Sequence, residues 1–135
     1  LAGREADIVG INPAVRSGRV DADASRDGMA DVTDRKVGWV RDAAGDRYDD
    51  IELNMLIYVV AISEDRDGTL ANMAPFFQTT PEELAAYPHA WLGSVEQIAE
   101  DLIARRERWD VSYLVVQGVD TMRSAAPIVA RLAGT

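Results

Sequence analysis

The sequence contains no cysteine and a single histidine, His89. Without thiols there is no disulfide framework and no thiolate metal site. One histidine cannot build a histidine-based zinc site. Long hydrophobic runs are also missing. The longest, residues 55–62, has the length and β-branching of a buried strand and falls well short of a membrane span. No segment has the charged, apolar and small-residue order of a signal peptide. These absences fit a cytoplasmic protein without a membrane partner. Basic charge is scarce: 14 Lys and Arg stand against 23 Asp and Glu, a net charge of −9. Such a chain repels phosphate backbones, which argues against nucleic-acid binding.

What is present is ordinary for a globular domain. Of the 135 residues 47% are hydrophobic, enough for one domain with its own core. Three strands are predicted, at residues 7–11, 53–62 and 111–117. The last two read as apolar on both faces, the pattern of a parallel sheet covered on both sides. Helices separate them. Residues 25–44 carry Met29, Val32, Val37, Val40 and Ala44 at helical spacing, with Gly45 suited to the position just past the end. Residues 94–108 open with a Ser94–Gln97 capping box and place Val95, Ile98, Ala99, Leu102 and Ile103 on one face. A terminal helix holds Ile128, Val129 and Leu132, with Pro127 expected in its first turn and Gly134 at its end. The connections are long, with extra length in residues 12–24 and 63–93; short helices are expected at 69–77 and 81–87.

Alternation of this kind means α/β architecture with parallel strands and right-handed crossovers. Three strands make a poor sheet by themselves. They suit the last three β/α units of an eight-stranded, TIM-like barrel. The first six residues read as the end of a helix with no start, so the chain is expected to be a single-domain, C-terminal part of a larger α/β protein.

Several segments then carry a family likeness. Residues 4–10 (READIVG) resemble the sixth-strand region of luciferase-like flavin and deazaflavin oxidoreductases. Residues 40–48 (VRDAAGDRY) with 51–54 (IELN) resemble their sixth helix and seventh strand. Residues 92–102 (LGSVEQIAEDL) resemble the start of their last long helix, and residues 112–118 (SYLVVQG) their eighth strand. The resemblance runs collinearly over nearly the whole chain and is greatest to actinobacterial enzymes that use coenzyme F420. It implies a barrel that moves hydride between F420, or alternatively FMN, and a small organic substrate. It also implies that the catalytic residues lie upstream of Leu1, so that the isolated chain is inactive and, with exposed strand edges, forms a homodimer. The alternative is a non-catalytic α/β module acting by self-association or partner binding.

Barrel active sites lie at the C-terminal ends of the strands. In this sequence those ends are Asn12, then Ser63 and Glu64, then Gln117 and Gly118. Asn12 and Gln117 are candidate cofactor contacts. Gly118 and Arg123 lie where the last loop and helix start can hold an anion. Asn12 is also a turn former before Pro13, and Arg123 an ordinary surface residue. His89 suits a structural loop role. Residues 21–32 match a calcium loop poorly, with Arg26 where glycine belongs and Val32 where glutamate belongs. The three tryptophans read as packing residues, and Phe76 and Phe77 as lining for a pocket after the second strand.

Overall fold

A computed structural model describes residues 1–16, 18 and 21–133. In chain order the elements are α1 (Ala2–Glu5), β1 (Ile8–Gly10), α2 (Ala22–Asp27), α3 (Ala30–Ala44), a 3-10 turn (Gly45–Asp50), β2 (Glu52–Ile57), β3 (Val59–Ile62), α4 (Arg66–Phe77), α5 (Pro81–Ala85), β4 (Ala90–Gly93), α6 (Val95–Trp109), β5 (Val111–Val116) and α7 (Val119–Leu132). The fold is α/β, and every strand pair is parallel. One sheet has the order β1-β2-β5 and a second pairs β3 with β4. Both sheets are open, and no closed barrel forms among the described residues. No helix there is long and apolar enough to cross a membrane.

The first sheet is covered on one face only, which corrects the two-faced burial expected from its composition. Val9, Leu53, Met55, Ile57 and Val111 alternate onto a single face. Against them pack Val37 and Val40 of α3, Ile98, Leu102 and Trp109 of α6, and Ala125 and Ile128 of α7, in one continuous core. Each large side chain buried this way contributes roughly 1.5–3 kcal/mol. The opposite face remains open, with Ile8 53% and Tyr113 45% exposed. A smaller core of Leu70, Ala74, Leu84, Tyr87, Ala90 and Leu92 lies under the β3–β4 pair.

Other expectations need local corrections. The strand expected at 53–62 is split at Tyr58, because its second half leaves the first sheet and pairs with β4. β4 was not expected; its four residues Ala-Trp-Leu-Gly are too few to show a period. The helix expected at 25–44 is broken at Gly28–Met29. A Cβ at Gly28 would lie 2.5 Å from the Tyr87 hydroxyl and 2.9 Å from Pro13, so close approach requires glycine there. Pro127 lies well inside α7, beyond the first turn, and Gly134 is outside the described residues. Trp91 and Trp109 are buried, but Trp39 is 65% exposed and Ile103 of α6 is 49% exposed.

The Ser94–Gln97 capping box forms as expected: Gln97 N–H donates to Ser94 Oγ at 3.2 Å, and Ser94 N–H to Gln97 Oε1 at 2.9 Å. It fixes the start of α6, whose Arg105 then reaches back to the α5–β4 connection. The guanidinium donates to the carbonyls of Pro88 (3.2 Å), Ala90 (3.0 Å) and Ala85 (3.4 Å). Burial pushes its pKa down to about 10, against the opposing pull of Asp101. Replacing Arg105 with Met leaves these carbonyls without their donor. We expect Arg105→Met to lose about 2–4 kcal/mol in denaturant unfolding, since hydrogen bonds to charged groups are worth most when buried. Arg131→Met on the surface should change stability by less than about 0.5 kcal/mol.

Candidate functional site

Because the strands are parallel, their C-terminal ends gather at one end of the sheet, the end at which α/β proteins place ligands. Asn12 follows β1, Tyr58 follows β2, and Gln117 follows β5. The second strand thus reaches this end at Ile57 and Tyr58. Ser63 and Glu64, expected from the unbroken strand, belong to the end of β3 instead.

The edge of β2 facing β1 is built in stages. Glu52 N–H donates to the Asp7 carbonyl at 2.8 Å, and Ile11 N–H to the Asn54 carbonyl at 2.8 Å. There β1 stops. Leu56 N–H then donates to the Asn12 side-chain oxygen at 2.8 Å. The Leu56 carbonyl lies 2.8 Å from His89 Nδ1, and Tyr58 N–H donates to the His89 carbonyl at 2.9 Å. Beyond this point β4 pairs with β3. Asn12 and His89 therefore bridge the gap between one partner strand and the next. Asn12 Nδ2 lies over the open face at Gly10, where a Cβ would come within 2.9 Å of it.

A carbonyl only accepts, so His89 Nδ1 carries the proton in the neutral ring. Burial pushes its pKa down to about 4; the Leu56 carbonyl opposes this, the Lys36 and Arg105 charges add to it, and Asp27 opposes it. Tyr58 and Tyr87 flank the imidazole, each with ring centroids 5.5 Å from it. Tyr87 is fully buried, and its hydroxyl has no hydrogen-bond partner among the described residues. Burial holds that hydroxyl well above the usual phenol range.

Lys36, the only lysine, ties the same region together. Its ammonium donates to the Asn12 carbonyl at 3.0 Å, the Asp27 carbonyl at 2.8 Å and Asp27 Oδ2 at 2.7 Å. Asp27 Oδ2 also accepts from Ala14 N–H at 2.7 Å. Burial raises the Asp27 carboxyl, but the Lys36 hydrogen bond, the Ala14 N–H and the nearby positive charges outweigh it and hold it below its ordinary value.

The remaining candidates lie across β2, at the β5 edge. Gln117 is exposed and its side chain makes no hydrogen bond among the described residues. Gly118 has φ +84° and caps α7 without a side-chain hydrogen bond, which leaves the start of that helix uncapped among the described residues. Arg123 is exposed on α7, 3.7 Å from Asp120. The structure therefore groups Gln117, Gly118 and Arg123 at one helix start and places Asn12 with Lys36 and His89 on the other side of β2.

Sequence reasoning passed over Lys36 and Tyr58. The signals available were the rarity of lysine and a phenol inside an otherwise aliphatic run. Among the described residues no three or more His, Asp or Glu side chains are arranged to hold a metal ion. Asp21, in the segment compared with a calcium loop, accepts from Ala24 N–H at 3.0 Å and caps α2. Compared with known proteins, the chain matches no protein-family model and no curated protein.

His89 gives the site a pH signature. The folded pKa near 4 lies below the unfolded value near 6.5, so the unfolded chain binds the proton first. Stability should be unaffected by this group above about pH 6.5 and fall by about 3 kcal/mol as pH drops to 4. The carboxyl of Asp27, and that of Asp34, held below its ordinary value by hydrogen bonds from Arg108 and the Trp109 indole, add their losses below about pH 4. His89→Asn keeps a donor near Leu56 and cannot titrate. Denaturant melts between pH 7 and 4 should show the slope in the natural protein and a flatter profile in this variant.

Proposed function

We propose that the chain supplies the last three β/α units of a luciferase-like barrel oxidoreductase, transferring hydride between F420, or FMN, and a small organic substrate. One observation carries the barrel part of this reading. The strands of the main sheet stand in chain order, and α3, α6 and α7 all pack on the same face. A doubly wound sheet would reverse its strand order and place helices on both faces. A barrel keeps helices outside and leaves the inner face for side chains. The open face, with Ile8, Asn54 and Tyr113, suits that inner role. The coenzyme and the activity come from the family resemblance.

The residues present fit one end of such a cofactor. Gly118 and the uncapped start of α7, with Gln117 and Arg123, suit the anionic tail. Asp120 in the first turn of α7 is fully solvated and leaves the helix start accessible. Asn12 Nδ2, over Gly10, offers one neutral donor on the open face. The bound deazaflavin or flavin would supply the hydride chemistry, and this chain its position and electrostatics.

The second reading, a self-associating module without catalysis, draws on the same open face and on the outer edges of β1 and β5, which no strand pairs among the described residues. The reading frame upstream of Leu1 separates the two. Five further β/α units and F420 turnover by the whole product are expected; a start codon beside Leu1 would favour the module. In the whole product, Arg123→Ala should weaken an anionic cofactor or substrate by about 1–3 kcal/mol with little change in melting temperature. Residues 1–135 by themselves should show no low-micromolar binding of F420 or FMN by fluorescence titration, and should elute as a dimer in size exclusion with light scattering. Tight cofactor binding, or a monodisperse monomer at high micromolar concentration, would contradict the incomplete-barrel account.

A further inference from the structure

A groove of about 420 Å³ lies between α2–α3 and the corner where α4 meets α5. Its size falls in the usual range for small-molecule sites, roughly 300–1,000 Å³. It is built from the two long connections and is present in this chain whether or not a barrel closes around the sheet. We infer that it binds a small organic anion with a flat apolar body, such as an aromatic carboxylate.

The apolar surface comes from Met29, Val32 and Phe77, all half-buried. The Phe77 ring is held against Tyr87, with centroids 5.4 Å apart, so it is positioned before any ligand arrives. Met29 adds a flexible, polarizable wall that adapts to a ring's edge. These surfaces favour a flat apolar group, and Phe77 offers it a stacking partner.

Open hydrogen-bond capacity, rather than net charge, decides the sign of the ligand. Two cations and two acids line the groove. Glu83 is engaged: it accepts from Thr80 N–H in the Thr80–Glu83 capping box and also from Thr79 Oγ1. Those two hydrogen bonds hold its carboxyl below the ordinary value, with the charge of Arg26 adding to the effect. Asp31 stands 3.9 Å from Arg35, in an exposed pair on α3. Arg26 makes no side-chain hydrogen bond or ion pair among the described residues. Its planar fork is therefore free to take a carboxylate in a two-point contact, while Arg35, paired with Asp31, lines the same groove. Glu83 keeps its negative charge, but its Oε2 already accepts two hydrogen bonds and Asp31 faces Arg35, so a cation finds fewer open acceptors than an anion finds open donors on Arg26. Gln78 turns the chain at the rim in the left-handed region, φ +52°, and its side chain adds a neutral donor. The net charge of −9 repels anions at a distance, so affinity must come from these contacts.

The test is a titration of the full chain with benzoate, benzamide and benzylamine, followed by backbone amide shifts in ¹⁵N NMR. Benzoate should give saturable shifts around Arg26, Arg35 and Phe77, benzamide about tenfold weaker ones, and benzylamine none. Arg26→Gln should weaken benzoate about tenfold, as expected for loss of a charge-assisted contact, and leave benzamide unchanged. Phe77→Leu should weaken both ring ligands. Spectra of the two variants report whether each keeps the fold. Absence of saturable shifts with benzoate, equal binding of benzylamine, or indifference to Arg26→Gln would overturn the assignment.

Discussion

The hydrogen bond from Leu56 N–H to the Asn12 side chain is the joint on which the rest of the structure depends. A buried or half-buried backbone group must find a partner, and Leu56 lies where β1 has ended and β4 has not begun. Asn12 supplies the acceptor for its N–H, and His89 the donor for its carbonyl. Each bridge is secured in turn. Lys36 holds the Asn12 backbone against Asp27, and Arg105 grips the carbonyls on either side of His89. Gly28 lets the Tyr87 ring close under the same corner. The two sheets are thereby joined along one strand path, although hydrogen bonding changes partner at Tyr58.

This joint also sets where function can lie. It aligns the C-terminal ends of β1 and β2 and commits His89 to a structural bond, leaving the open sheet face and the α7 start as the accessible polar surfaces near the strand ends. One-sided helix packing leaves Tyr113 of β5 exposed and Asn54 of β2 half-buried on the opposite face of the sheet. A parallel sheet with one dry face and one open face departs from the usual parallel sheet, which is covered on both faces. The groove between the long connections stands apart from that face and uses a different set of side chains.

Much of this was legible in the sequence, for identifiable reasons. The three strands of the main sheet and α6 were clear because their signals are local: apolar runs of strand length, and a capping box ahead of a periodic face. β4 was hidden because a four-residue strand has no measurable period and depends on a neighbour for its hydrogen bonds. The break at Tyr58 was hidden because an apolar run does not reveal which strand it pairs with. The break at Gly28 has a clearer signal, since glycine weakens a helix, yet its cause is contact with Tyr87, far along the chain. Asn12 was found as a candidate from its place after a strand; its bond to Leu56 needed the register. Lys36 was missed because its three acceptors come from two segments that only the fold brings together.

The most direct test of this joint is native-state amide exchange at Leu56, measured by NMR in the natural chain and in Asn12→Ala. The account predicts that Leu56 N–H exchanges about as slowly as Met55 and Ile57 in the natural chain, and that the substitution speeds Leu56 far more than those two neighbours. A Leu56 amide that exchanges rapidly in the natural chain, or that is indifferent to loss of the Asn12 side chain, would contradict it.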